Sequence, residues 1–264
     1  MPYDRAGGGD EPVVAPDTPA WQDAAALVYV ADMESLGVEG DDLRHLDRVL
    51  RLRSGERVVA SDGRGRWRLT RYIAATPRGT PRSAVLEPDG PVAECPTPQP
   101  AVTIGFAPTK GDRPEWAVQK LTEAGVDHIA VLLAARSVVR WDADRQVKAV
   151  DRLRRVAREA AAQSRRCWLA DVTGVVGLDD LADLVAPHRL ALAHPGGGPP
   201  TVRAPAVAIG PEGGWDPAEL GSGRPLVGLG PRRLRTETAA VAAGLLLCGL
   251  RDGIVAPVGS GARP

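Results

Sequence analysis

The apolar positions change their period partway along the chain, and that change divides it. From Trp21 to Glu94 they come in short runs: Leu27-Val28-Tyr29-Val30, Arg57-Val58-Val59-Ala60, Trp67 to Ile73 and Ala84-Val85-Leu86-Glu87. Short runs with a two-residue alternation are the mark of strands. Ser54-Gly55 and Asp62-Gly63 supply turns between them. Residues 21–94 are therefore expected to form a small β-barrel, with one inserted helix over Asp42 to Leu50. From Ala101 onward, apolar strand-like runs alternate with stretches of helical spacing. Strands are expected at Ala101–Ala107, His128–Ala134, Trp168–Val172, Arg189–Ala193, Ala206–Ile209 and Pro225–Leu229. A first helix starts at Asp112-Arg113-Pro114-Glu115 and ends at Gly125. A second, over about 143–164, places Val147, Val150, Leu153, Ala157, Ala160, Ala161 and Ser164 on one side. Strands alternating with helices imply an α/β unit whose mainly parallel sheet is covered on both faces.

Between the two regions, Glu94-Cys95-Pro96-Thr97-Pro98-Gln99-Pro100 packs three prolines into seven residues, so 95–100 reads as a stiff linker. The α/β unit is expected to span 101–255 and a short tail 256–264. Residues 1–20 hold prolines, a run of three glycines and few large apolar side chains, which predicts a disordered leader.

The most informative stretch runs from Ala206 to Leu250. Ala206-Val207-Ala208-Ile209 breaks at Gly210-Pro211-Glu212-Gly213-Gly214, where glycine frees the backbone to turn and approach a ligand. Asp216-Pro217-Ala218-Glu219 then starts a helix with a capping acid, a proline and a glutamate in the right order. The pattern repeats: strand Pro225–Leu229, loop Gly230-Pro231-Arg232-Arg233-Leu234-Arg235, and Thr236 as the cap of an apolar helix ending near Leu250. Adjacent strand ends that open into glycine-bearing loops are where α/β sheets bind small ligands. No lysine completes a P-loop, no G-x-G-x-x-G joins a strand to a helix, and no G-x-S-x-G elbow occurs, which excludes those nucleotide sites and an ordinary hydrolase.

The pair IGPEGGW and LGPRRLRTETA, about twenty residues apart, resembles the signature loops of the RsmE-type 16S ribosomal RNA uracil-N3 methyltransferases, of the SPOUT class. The resemblance extends to HLDRVLRLRSGERV with SDGRGR, to Gln119 through Val126, Arg136-Ser137, Glu159-Ala160 with Gln163-Ser164 and Arg166, and His194-Pro195. It implies a PUA-like N-terminal β-barrel followed by a SPOUT α/β domain with a C-terminal trefoil knot, S-adenosylmethionine as cofactor, and a homodimer. Departures fall outside the two loops: Ala162 replaces a usual glutamate, Arg165 a glycine, Ala170 a proline and Ala135 an acid. They bear on contacts to the RNA rather than to the cofactor.

Composition narrows this reading. Thirty-three basic and thirty-three acidic residues cancel, so any contact with RNA must rest on local clusters. Arg44, Arg48, Arg51 and Arg53 crowd the inserted helix and its exit, while Arg64, Arg66 and Arg68 alternate along a turn and strand. With Arg57, they are candidate phosphate contacts. Cys95, Cys167 and Cys248 are odd in number and include no C-x-x-C, which argues against a disulfide framework or a metal site and fits the cytoplasm. The longest apolar run, Ala239 to Leu250, falls short of the roughly 20 residues of a membrane span.

A methyl on a sulfonium is already activated, so its transfer requires positioning and exclusion of water rather than an enzyme nucleophile. The expected cofactor contacts are His194, Pro195, Ile209, Gly210, Pro211, Glu212, Gly213, Gly214, Leu229, Gly230, Leu234, Thr236, Thr238 and Ala239. Uracil N3 must lose a proton, a step helped by a cation near O2 or O4 and a proton acceptor. Arg235 and Glu237 are the candidates, with Arg166 as a second cation. Ribose 2'-O-methylation and a non-catalytic RNA-binding role are the competing readings.

Overall fold

A computed structural model describes residues 24–38, 46, 50–74, 84–139, 141–186 and 189–257. The first sheet is built from β1 (Ala26–Tyr29), β2 (Gly37–Val38), β3 (Arg57–Ser61), β4 (Arg66–Ile73), β5 (Ala84–Pro88) and β6 (Ala93–Glu94). Its order is β1-β3-β4-β5-β2, with β6 on the start of β4. β1 and β3 are parallel and the other pairs antiparallel, so the expected barrel is an open, curled half-barrel. One face carries its own core of Val28, Val30, Val58, Ala60, Tyr72 and Leu86. The other presents Leu27, Tyr29, Val59, Trp67 and Leu69 to Ala161, Ala162 and Leu169 of the second unit. β1 is apolar at every position because both of its faces are covered. Most of the expected helix over Asp42 to Leu50 lies outside the described residues, as does the leader; Leu46 within it is fully buried.

The second sheet is parallel throughout, in the order β12-β10-β11-β7-β8-β9. Its strands are β7 (Thr103–Phe106), β8 (His128–Leu132), β9 (Asp171–Val176), β10 (Leu190–Gly198), β11 (Ala206–Ile209) and β12 (Leu226–Val227). Helices α1 (Arg113–Glu123), α2 (Ala143–Gln163) and α5 (Thr236–Arg251) cover one face, and α3 (Leu178–Val185) the other. Strand alternation sorts the core: Ile104, Phe106, Ile129 and Val131 meet α1 and α5, while Ala130, Leu132, Leu190 and Leu192 meet α3 and Trp215. Each fully buried Leu, Ile or Phe among them contributes ~1.5–3 kcal/mol.

α2 starts where Asp142 accepts the Arg145 N–H at 2.9 Å, a side-chain N-cap. Its buried side is Val150, Leu153, Ala157, Ala160 and Ala161. Val147, expected on that side, is 62% exposed, and Ser164 caps the helix by donating to Ala160 O at 2.7 Å. The α2–β9 connection docks on the first sheet: Tyr29 Oη donates to Arg166 O (2.7 Å), Trp168 Nε1 to Cys95 O (3.2 Å) and Leu169 N to Gly63 O (2.9 Å). With Gly65 N also donating to Cys167 O (3.2 Å), the backbone at Arg166, Cys167 and Leu169 is engaged there, so the strand expected at Trp168–Val172 begins later, at Asp171.

Two further differences bear on the site. β10 does not stop at Ala193, where the expected strand ends, but runs through His194-Pro195-Gly196-Gly197-Gly198. The reason is backbone proximity rather than turning. A Cβ at Gly197 would lie 2.5 Å from Val227 N and 2.6 Å from Gly228 N, and Gly228 N donates to Gly198 O at 2.7 Å. Two backbones approach so closely that no side chain fits. The last helix begins one residue earlier than expected: Arg235 holds the cap position with no side-chain cap bond, and Thr236, already helical, donates through Oγ1 to Gly210 O at 3.2 Å.

Candidate active site

β12, β10 and β11 are neighbours in the parallel sheet, so their carboxyl ends deliver three chain segments to one place. The loop after β11 is held from several sides. Trp215 packs under Gly210, where a Cβ would meet the indole at 3.0 Å, and its Nε1 donates to Ala193 O within β10 (2.9 Å). A short helix α4 (Pro217–Leu220) follows, with Asp216 accepting from Ala218 N (3.0 Å) and Glu219 from Asp216 N (2.7 Å). Glu219 also accepts from Ala135 N (2.9 Å), and Arg136 donates to Gly213 O (3.5 Å), which ties in the segment after β8. Gly214 and Gly230 have φ of +73° and +114°, in the left-handed region that disfavours side chains.

These segments enclose a cavity of about 600 Å³, within the ~300–1,000 Å³ range of small-molecule sites. Ile209, Trp215, Leu220, Leu229, Leu234 and Ala239 give it apolar walls; Arg136, Arg232, Arg233 and Arg235 bring cations, and Glu212 is the one carboxylate among its lining residues. A second cleft of about 280 Å³ adjoins it across Pro211 and Glu212, with Lys110 and Arg113 on its wall.

The structure brings His194, Pro195, Ile209, Gly210, Pro211, Glu212, Gly213, Gly214, Leu229, Gly230, Leu234, Thr236 and Ala239 into this one lining. Thr238 is not part of it and is exposed. With Thr236 and Ala239 one turn apart on the cavity side of α5, the residue between them at Thr238 is turned away. Arg235 lines the cavity. Glu237 does not: it is buried, its Oε1 lies 3.7 Å from Arg113 Nε, and its Oε2 has no partner among the described residues. Arg113 also reaches Glu212 at 3.6 Å, so it links the loop after β11 to the first turn of α5. Glu237 therefore faces Arg113 and stays out of the cavity lining.

Arg166 lies elsewhere altogether. Its guanidinium donates to Val126 O (2.7 Å) and Thr122 O (3.0 Å) and faces Asp127 at 3.4 Å, at the amino end of β8. That is the opposite end of the parallel strands from the cavity, so within this chain it is no second cation for the reaction. Burial lowers its pKa from the ordinary arginine value, opposed by the charge of Asp127.

Among the arginines expected to meet RNA, Arg51, Arg53, Arg64 and Arg66 are exposed on the first sheet and its turns. Arg57 is paired with Asp89 at 3.2 Å. Arg68 is committed: it donates to Gly90 O (2.9 Å) and Met33 O (3.3 Å). It shares its strand face with the buried Thr70 and Tyr72, so the alternation leads its side chain inward. Arg44 and Arg48 lie outside the described residues. Trp215, Ala193, Leu220, Arg136, Arg232 and Arg233 also line the cavity but were not expected to. Trp215, Arg232 and Arg233 had a signal, since Trp215 closes the first signature loop and the two arginines lie inside the second. Among the described residues no group of acids, histidines or cysteines could hold a metal, and no helix is long and apolar enough to cross a membrane.

Comparison with known proteins agrees with this geometry. The RNA methyltransferase domain family matches residues 96–247 and the RNA methyltransferase PUA domain family residues 38–79. The chain is 36% identical over 240 residues to ribosomal RNA small subunit methyltransferase E of Mycobacterium bovis, covering 83% of this chain and 89% of that protein. To the enzyme of that name from Bacillus subtilis it is 27% identical, over 80% of this chain and 88% of the other. The structure of ribosomal RNA small subunit methyltransferase E from Neisseria gonorrhoeae bound to S-adenosyl methionine is similar with a TM-score of 0.70 at 25% identity, over 86% of this chain and 97% of that one. Two glycine-bearing loops at adjacent strand ends, one shared cavity and relatives that match along most of the chain converge: this protein belongs to the RNA methyltransferase family of the ribosomal RNA small subunit methyltransferase E proteins.

Proposed function

We propose that this chain methylates N3 of a uridine in 16S ribosomal RNA, with S-adenosylmethionine as donor. The observation that carries the proposal is the single cavity formed where β10, β11 and β12 end. Its residues fit the donor: apolar walls at Ile209, Leu229, Leu234 and Ala239 suit the adenine, and glycine-bearing loops leave peptide groups free of side-chain cover for its polar ends. A Cβ at Gly214 or Gly230 would meet nothing within 4 Å, so the two loops border open space where they turn. When bound, the cofactor supplies an activated methyl group.

The protein's own part is to orient, to keep water from the donor's methyl and to stabilise charge. Arg235 stabilises the negative charge that develops on the uracil oxygens as the N3 proton leaves, and solvent at the open mouth takes the proton. Glu237 acts on geometry, through Arg113, rather than as the base.

The reading extends to a homodimer working in the cytoplasm, to a division near residues 95–100, and to a C-terminal trefoil knot. Exposed apolar residues on and just beyond α5, Leu245 (55%) and Ile254 (81%), support a partner surface there, and the close Gly197–Val227 crossing suits a tightly threaded segment. Nucleoside mass spectrometry of ribosomal RNA treated with the purified protein tests the reaction. N3-methyluridine is the expected product; a 2'-O-methylated nucleoside, or none while the cofactor still binds, would overturn it.

A further inference from the structure

The cavity mouth carries a charge pattern that the cofactor does not explain. Although the chain has no net charge, the lining sets four arginines against a single carboxylate, Glu212, and that carboxylate faces Arg113 at 3.6 Å. Arg136 is partly engaged by Gly213 O and by Asp216 at 3.6 Å. Arg232, Arg233 and Arg235 are exposed and have no ion pair or side-chain hydrogen bond among the described residues. The adjoining cleft adds Lys110, likewise exposed. Unpaired guanidinium groups clustered on one rim repel one another, a cost that an anionic partner removes. One of these cations serves the uracil; the others call for a further anion.

We infer that Arg232 and Arg233, with Arg136 of the same lining, bind phosphodiester groups of the RNA flanking the target nucleotide. This rests on the function proposed above. The forked donor set of arginine matches phosphate oxygens, and contacts of this kind position a substrate without reading its sequence. Arg232 and Arg233 both line the cavity and are exposed to solvent, so phosphates held there would set the base against the donor. On this view the RNA is gripped chiefly at the reacting end of the α/β unit, with the arginines of the first sheet as an outlying contact.

The test uses the full chain, a 16S ribosomal RNA fragment that the wild type methylates, and an unrelated RNA of equal length. Arg232→Ala/Arg233→Ala is expected to weaken binding of both RNAs by roughly tenfold per arginine and to reduce the salt slope of log K by about one per lost contact. Calorimetric affinity for S-adenosylmethionine stays unchanged. The lysine pair, Arg232→Lys/Arg233→Lys, recovers most of the salt slope and only part of the affinity, which a loss of folding could not produce. Unchanged RNA affinity and slope in the alanine pair would overturn the inference, and so would a parallel fall in cofactor affinity, which would assign these arginines to the carboxylate of the methionine. Failure of the wild type itself to bind the cofactor or to methylate would instead refute the underlying function.

Discussion

At the amino ends of the parallel strands Arg166 and Arg251 have side chains only 12% and 7% exposed and close on Asp127, whereas at the carboxyl ends Arg232, Arg233 and Arg235 stand exposed without ion pairs among the described residues. The buried pair has a structural task. Arg251 Nη1 meets Asp127 Oδ2 at 2.6 Å, Arg166 donates to carbonyls left over at the end of α1, and Asp127 also accepts from Val102 N at 2.8 Å. Burial disfavours the charge on Arg251, but its bond to Asp252 and the charge of Asp127 outweigh burial and raise its pKa. Arginine thus closes one end of the sheet and leaves the other open for ligands. Exposure and partners, not residue type, separate the two uses.

The largest effect that would test this contrast is expected at the closed end. Asp127→Ala leaves two buried guanidinium groups without their shared carboxylate, and denaturant unfolding should show a loss of ~3–5 kcal/mol; a loss below about 1 kcal/mol would mean the cluster is solvated and the contrast false. At the open end, Arg235→Ala should lower single-turnover methyl transfer by about a hundredfold, roughly 2.7 kcal/mol of barrier, with thermal stability and cofactor affinity held. Normal transfer would remove Arg235 from the mechanism.

Gly197→Ala forces a methyl into the backbone of β12, and should cost ~1–3 kcal/mol of stability together with weaker cofactor binding; a neutral result would show that the crossing relaxes freely.

A smaller effect belongs to alkaline pH. Burial pushes the Cys248 thiol, near Arg251 at the closed end, from 9.0 up to about 11. The folded state then holds its proton more tightly than the unfolded chain, so stability is intact below pH 9 and falls as pH rises towards 11, by at most roughly 3 kcal/mol. Cys248→Ala should flatten that limb in pH-dependent denaturation, and an unchanged limb would assign it to other groups. Arg51→Ala/Arg53→Ala is expected to have the least effect, at most a few-fold on RNA affinity and none on stability. An effect larger than that of the Arg232/Arg233 pair would place the main grip on the first sheet.

The elements were legible where local pattern decides them. Period-two runs located β3, β4 and β5, helical spacing located α1 and α2 to within a residue or two, and the two glycine-bearing loops named more than half of the cavity lining. Misreadings occurred where a distant partner takes over. The glycines of 196–198 turn nothing; they make room for β12. Trp168 and Leu169 look like the start of a strand but are bound to Cys95 and Gly63 of the first sheet. Thr238 and Glu237 belong to the right motif but to the wrong side of α5. Arg68 obeys the alternation that marked it, and that alternation leads it towards carbonyls at Gly90 and Met33.

The sequence by itself determined the division into a strand-rich unit and an α/β unit, the residues whose peptide groups form the cavity, and the family. These follow from backbone freedom, capping and apolar period, which act over a few residues. Which charges are spent and which remain available was decided only by the tertiary structure. Arg166 and Arg235 both lie in motifs shared with the family, yet one is consumed by carbonyls some forty residues away at Thr122 and Val126, and the other is left at the mouth of the site. A guanidinium satisfies whatever acceptors packing brings near, and no local pattern encodes what those will be.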